Sequence, residues 1–308
     1  MRLLFGDYSA RHDINSRASL IAITYVSVVA TCTYFIAPSY VQGLVEYLRL
    51  TEEQAGYLVA VEAFGFALTT VLMNFLARRF DWRRLIAVFA VIATIGNLAS
   101  APLENFQSLG IMRFVTGVGS GGLMSLTLTM MGLTNKPDRN FGLIVVGVMI
   151  YSALATFIAP LAFQSIGMYG VLTFFALYCA STVFFISHLP HTNEERVDAP
   201  GDIVAQFPWM PKFLALLAYL LFAIGFGMVF AYLFILGIAA DIAEQAVANT
   251  LTFSMFVGIP GALMAVLVQS RFGRLRPVGI SIIGVICSVV IFLDIDAFIY
   301  YFAAICLF

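Results

Sequence analysis

Residues 74–85 read NFLARRFDWRRL, and residues 266–277 read VLVQSRFGRLRP. Each stretch leaves one long apolar run, turns through a short basic segment and enters another. At an offset of 192 residues, Arg79, Phe80 and Arg84 fall on Arg271, Phe272 and Arg276. Basic loops in matching places of two halves are the trace that a duplicated helical bundle leaves in its sequence.

The runs that flank these loops set the solvent. Hydrophobic residues make up 61% of the 308 positions and charged residues 11%, against roughly 45–50% and about 25% in ordinary globular chains. A soluble fold could not keep so much apolar surface from water. A helix crossing the hydrocarbon core needs about 20 largely apolar residues. Nine such runs and the start of a tenth are present: 18–40, 55–77, 85–103, 107–134, 141–163, 168–188, 213–239, 246–270, 277–294 and 297–308. The polar, proline-rich stretch 189–212, with Pro190, Pro200, Pro208 and Pro211, is the one convincing linker. The chain therefore reads as an all-α polytopic membrane protein. Its expected layout is a six-helix bundle over 1–188, a linker over 189–212 and a second helical group over 213–308.

Charge placement tests the span count independently. With the N-terminus in the cytoplasm, alternate loops collect Arg2, Arg11, Arg17, Arg78, Arg79, Arg83, Arg84, Lys136, Arg139, Arg196, Lys212, Arg271, Arg274 and Arg276, fourteen of the sixteen basic residues. The other side holds Arg49 beside Glu46, Glu52, Glu53, Glu104, Asp241, Glu244, Asp294 and Asp296. This is the positive-inside pattern, and a wrong count would scramble it. A multi-pass protein of the plasma or inner membrane is expected.

Several classes drop out. A net charge of −1 gives no basic face for nucleic acid. Cys32, Cys179, Cys287 and Cys306 lie in apolar runs without a C-x-x-C pair, which is neither a disulfide framework nor a metal site. His12, His188 and His191 fall outside the runs. No cofactor is expected, and no cleaved leader is read from the polar first sixteen residues.

Two ionisable residues stand inside the spans, Glu62 in the second and Arg113 in the fourth. A charge at depth costs at least ~2.5–3.5 kcal/mol on insertion scales, so it faces a partner or a wet cavity. At 1.5 Å per residue both lie roughly 9–11 Å below the same boundary and can pair if their helices adjoin. In the functional reading Glu62 carries a proton, and Arg113 holds it ionised until a proton or substrate competes. In the plainer reading they form a structural ion pair. Gly117, Gly121 and Gly122 clear one face of the fourth run for close helix packing. The first run carries Thr24, Tyr25, Ser27, Thr31, Cys32, Thr33 and Tyr34. These make a semi-polar face, or else Thr and Ser bond their own backbone and Tyr anchors at interfaces.

At this point the chain resembles the major facilitator superfamily. That family has six-plus-six helices, a long central cytoplasmic loop and a basic signature, G-x-x-x-D-R-x-G-R-R, between helices 2 and 3. Here Asn74, Arg78 and Asp81 stand at the glycine, acid and second-glycine positions, while Arg79, Arg83 and Arg84 keep the basic part. The second loop keeps Arg271, Phe272, Gly273 and Arg274, with Ser270 in place of the acid. Arg113, Gly117, Gly119 and Gly121 fit the family's R-x-x-x-G-x-G-x-G in helix 4, and 136–142 resembles its helix 4–5 connection. The helix 5 pattern of drug antiporters is absent except for Pro160. The resemblance implies a secondary transporter of a small solute working by alternating access, coupled to protons. It makes Arg79, Arg83, Arg84, Arg271 and Arg274 gating-loop candidates. It also puts helices 1, 4, 7 and 10 around a central cavity, with Tyr25, Thr31, Tyr34, Tyr219 and Tyr232 as substrate-facing candidates.

A membrane-embedded enzyme is the competing class, but Glu62 lacks the grouped His, Cys or carboxylate neighbours such enzymes use. A silent membrane partner or sensor is the third. The chain stops inside an apolar run, at Phe308. The family pattern leads us to expect a C-terminally incomplete second bundle, with about nine to ten of twelve helices present, apolar faces uncovered beside spans seven to nine, and no transport by this length alone.

Overall fold

The computed structural model describes residues 13–190, 209–272, 275–293 and 298–307. Every described regular element is helical, and each expected span has its counterpart. Span 1 is α1 (Arg17–Ala30) and α2 (Ala37–Leu48), joined by a short 3-10 turn, Tyr34–Ile36. Spans 2, 3 and 4 are α3 (Glu52–Arg79), α4 (Trp82–Ser100) and α5 (Phe106–Gly132). Spans 5 and 6 share α6 (Pro137–Ala180). The second half holds α7 (Trp209–Ala239), α8 (Glu244–Phe272), α9 (Leu275–Phe292) and α10 (Phe298–Leu307). Most of the linker lies outside the described residues, as do the side chains of Tyr219 and Arg271 and all of Arg274.

Helix starts follow their local chemistry. Thr51 and Gln54 form a reciprocal capping box at α3. Asp81 accepts from the Arg84 N–H, and Asn105 from the Gln107 and Ser108 N–H groups, where α4 and α5 begin. Asp81, at a position where the family pattern has glycine, thus serves as an N-cap.

Two departures from straight helices shape the bundle. Span 1 bends by 54° between its arms. Pro38 sits in the first turn of α2, where its ring denies residue 34 a helical acceptor role, so the helix breaks before it. A break inside lipid exposes carbonyls that need donors. The Tyr151 hydroxyl donates to Cys32 O at 3.0 Å and Ser152 to Phe35 O at 2.5 Å, so α6 fastens the break. The second departure is Gly167 in α6, with φ +64°, a conformation that costs glycine nothing. Tyr151 and Tyr178 stack at 5.5 Å, although 27 straight helical residues would part them by about 40 Å. The chain therefore reverses between them, which makes α6 the hairpin of spans 5 and 6.

In the first half α5 is the central helix, packed between α3 and α4 and touched by α1. Hydrogen bonds tie the second half to the first. Tyr232 of α7 donates to Glu52 O at 3.0 Å, and Thr252 of α8 to Ala153 O at 3.3 Å. A smaller core of Leu233, Phe234, Val247, Leu251, Tyr301 and Ile305 ties α10 to α7 and α8. Apolar faces of α7 and α9 stand exposed, among them Leu216, Leu221, Ile280 and Ile283.

Candidate functional site

The site begins with backbone approach. A Cβ added at Gly117 would meet Glu62 O, and one at Gly121 would meet Phe66 O. Glycine at these positions lets α5 lie directly on α3. Arg113 stands one turn before Gly117, so this packing carries its side chain to the level of Glu62. On the opposite side, Gly122 abuts the Phe89 ring of α4.

Arg113 is fully buried and Glu62 is 3% exposed. Arg113 Nε and Nη2 donate to Ser100 Oγ at 3.2 and 2.7 Å, and Nη2 also reaches Asn97 Oδ1 at 3.1 Å and Gly96 O at 3.3 Å. Asn97 is itself held by Ala93 O. Arg113 Nη1 lies 3.7 Å from Glu62 Oε2, an ion pair without a hydrogen bond between the two. The direct partner of Glu62 is Thr33, at the break of span 1, whose hydroxyl donates to Oε1 at 2.6 Å.

The arrangement divides the work. Burying two ions costs several kcal/mol each, and good geometry with further hydrogen bonds must offset that cost. Here α4 supplies those bonds to the guanidinium, whatever the state of the carboxylate. The guanidinium is thus held in place independently of Glu62. Four spans converge here: span 1 through Thr33, then α3, α4 and α5.

The other sequence candidates go to several places. Tyr34 lies beside this cluster, against Phe66 at 5.2 Å and on a cavity that Glu62 also lines. Tyr25 turns toward the end of span 6, stacking on Phe185 at 4.2 Å and sharing a 2.6 Å hydrogen bond with Ser181. It also lines a groove of about 400 Å3 between α1 and the first arm of α6, with Tyr178 at its side. Thr31 donates to Ser27 O and Val28 O of its own helix. Tyr232 joins the halves, as described. Tyr219 lies outside the described side chains. Of the basic loop, Arg79 and Arg84 are exposed, whereas Arg83 is 1% exposed and donates to Leu189 O at 2.5 Å, clasping the end of span 6. Arg271 and Arg274 lie outside the described side chains.

Thr33, read above only as part of the semi-polar face of the first run, belongs to the site, as do Asn97 and Ser100, which the sequence analysis does not single out. The signal for two of them was present: Asn97 and Ser100 are polar, three apart and so on one face of span 3. Among the described residues no group of three or more His, Cys, Asp or Glu is placed to hold a metal.

Comparison with known proteins agrees with this architecture. The sequence profile of the Major Facilitator Superfamily matches residues 22–308, and the chain belongs to that family. It is a multi-pass integral membrane protein. A candidate niacin/nicotinamide transporter, NiaP, of Bacillus subtilis (strain 168) is 25% identical over 144 residues, covering 44% of this chain and 36% of that protein. The niacin transporter NiaP of Acinetobacter baylyi is 31% identical over 87 residues, covering 28% and 20%. The aligned stretches thus span well under half the length of these relatives. The crystal structure of the nucleoside transporter NupG superposes with a TM-score of 0.70 at 14% identity, covering 95% of this chain and 78% of that one.

Proposed function

We propose that this chain works in a secondary transporter of a small solute, coupled to protons through Glu62 and operating by alternating access. The observation that carries the reading is the Thr33–Glu62–Arg113 arrangement. In it a buried carboxylate sits beside a cation that α4 holds independently. Proton uptake by Glu62 weakens its hold on Thr33 and on the break of span 1, which links protonation to helix movement. The basic loops and the N-terminus belong on the cytoplasmic side in this reading, with 1–188 and 213–308 as the two moving halves and 189–212 as their linker.

The names of the curated relatives supply the first solute to test, niacin, a small aromatic monocarboxylate. Two separate features of the first half bear on such a solute, one apolar and aromatic, the other the buried cation of the Glu62 cluster. A groove of about 400 Å3 with Tyr25 and Tyr178 among apolar walls is in the usual size range of small-molecule sites, and Arg113 offers a cation to a carboxylate.

The test is uptake of radiolabelled niacin by proteoliposomes carrying the complete protein, with and without an imposed pH gradient. Gradient-driven accumulation is expected, and Glu62→Gln should remove its pH dependence before it removes binding. An unchanged pH profile in Glu62→Gln would send coupling elsewhere. Accumulation of other solutes but not niacin would keep the mechanism and discard the substrate.

A further inference from the structure

The break of span 1 and Glu62 enclose a cavity of about 10 Å3, lined by Thr33, Tyr34, Tyr40, Val59 and Glu62. That is about the volume one water needs. Four of its five lining residues, Thr33, Tyr34, Tyr40 and Glu62, carry a polar side-chain group. Tyr40 is 1% exposed, and its hydroxyl and that of Tyr34 both have hydrogen-bonding capacity to spare among the described residues. The Tyr40 hydroxyl lies beside the Arg113 guanidinium, which is in reach as one partner and leaves the hydroxyl a further hydrogen bond to make. Glu62 keeps spare lone pairs beyond the Thr33 bond. A buried hydroxyl with bonding capacity to spare gains by finding a partner, and both tyrosines line one water-sized space with the carboxylate. A buried water makes about three such bonds.

We propose that one ordered water occupies this cavity, hydrogen-bonded to Tyr34, Tyr40 and Glu62, and that it delivers the transported proton to Glu62. The inference rests on the coupling role given to Glu62 above. An arriving proton joins the water as hydronium. One of its O–H bonds then breaks as the Glu62 O–H bond forms, and the water is restored. Tyr34 and Tyr40 act as positioning residues that hold the water against the carboxylate. The ionisable groups around the cavity are Tyr34 and Tyr40 from span 1, Glu62 from α3 and Arg113 from α5. The thiols of Cys32 and Cys179 lie on the side of α6. The position fits the role, because the break separates Thr33 and Tyr34 from the lower arm and leaves Tyr40 on the arm leading to the acidic face.

Two measurements test it. The first is hydroxyl-radical footprinting by X-ray radiolysis of the complete protein in lipid nanodiscs, which labels side chains beside bound water. Tyr301 is the control: it is equally buried, but its hydroxyl donates to Leu233 O at 2.7 Å. Tyr40 should label well above Tyr301, and equal background labelling of the two overturns the proposal. The second is Tyr40→Phe, which removes one oxygen and keeps the ring. Gradient-driven accumulation should fall about tenfold, the equivalent of one lost hydrogen bond, and the solute KM should stay within about twofold. Wild-type accumulation in Tyr40→Phe, with Glu62→Gln showing its expected pH effect, overturns the relay alone. No pH effect in Glu62→Gln overturns the coupling reading and the relay with it.

Discussion

Helices α5 and α7 are both long enough to cross the membrane, and they meet opposite fates. α7 is the more apolar of the two, yet none of the described residues in its most apolar stretch is buried, whereas more than half of the corresponding stretch of α5 is buried. In water the ranking would be reversed. In lipid an apolar face gains nothing by leaving the acyl chains, and helices come together where small residues allow close contact or polar groups need partners. α5 has both, in Gly117, Gly119, Gly121 and Gly122 and in Arg113. α7 carries Gly225 and Gly227, but no neighbour lies within 4 Å of a Cβ built at either, and the helix joins the core through Ala231, Leu233 and Phe234 near its end. The pair teaches that burial in this protein does not follow hydrophobicity: glycines bury a helix where a partner backbone lies against them, as at Gly117 and Gly121, and not where none does, as at Gly225.

The sharpest way to break that comparison is to fill the two helices with the same side chain. Gly117→Leu drives a branched side chain into Glu62 O and should destabilise by about 3 kcal/mol or more, seen as loss of monodisperse protein in detergent. A Cβ at Gly225 of α7 meets nothing within 4 Å. Gly225→Leu should therefore leave the melting temperature unchanged or raised, through a helix-propensity gain of roughly 0.5–1 kcal/mol. Equal damage at both positions would end the contrast.

Polar burial is the second half of the comparison. Arg113→Met strips Glu62 of its cation and Ser100, Asn97 and Gly96 O of their donor. Breaking a buried pair in this way costs about 3–5 kcal/mol. Leu221→Ala in exposed α7 should cost under about 0.5 kcal/mol. Thermal melting of both variants in one lipid mixture checks the ranking. Adding Glu62→Leu to Arg113→Met should recover part of the loss, because no uncompensated charge then remains.

A smaller effect sits in α6, where two serines differ in burial and in what they bond. Ser152 reaches the orphaned Phe35 O across helices, and Ser165 bonds Leu161 O of its own helix at an exposed position. Ser152→Ala should cost roughly 1–3 kcal/mol, and Ser165→Ala next to nothing. The readout is melting temperature, with hydrogen exchange of the 31–36 amides as a local check.

Much of this was open to reading in the chain itself. The spans, the charge alternation and the shared depth of Glu62 and Arg113 follow from counting residues, and the two side chains do meet at 3.7 Å. The glycines of α5 were readable because a small residue every fourth position has one strong meaning in lipid. The face of span 1 was not. Grouping Ser27, Thr31 and Tyr34 assumes one continuous helix, and a 54° bend at 31–36 points the two arms differently. Tyr25 consequently turns to span 6, Thr31 to its own backbone, and Thr33 to Glu62. Pro38 was the clue, since a helix seldom continues through the residues before proline. The contact of Arg83 was hidden for another reason: a basic loop shows where its arginines lie along the chain, and only tertiary packing brings this one to Leu189 O.

The smallest expected effect lies at the acidic face, where the halves meet outside the membrane-spanning segments. Glu244, half-buried at the start of α8, has its carboxyl pushed above the usual range by burial and then by the charge of Glu46 from α2, while a hydrogen bond from Gln164 of α6 pulls it down. Tyr47 of α2 lies beside the same two carboxylates. A raised value means that the joined arrangement binds the proton more tightly than the separated one. Below both values the group makes no difference to joining. As pH rises through the ordinary carboxylate range and past the raised value, the ionised pair repels and the junction weakens. Acidification should therefore draw the two halves together at this face, and Glu244→Gln should hold them at the low-pH distance throughout. Spin labels at Tyr57→Cys and Asn249→Cys, with Cys287 and Cys306 replaced, would report the distance by double electron–electron resonance. Screening by salt keeps the shift small for so exposed a pair, and it should shrink further at high ionic strength. A distance that tracks pH equally in the Gln variant would place the sensor elsewhere, with Glu62 the next residue to neutralise.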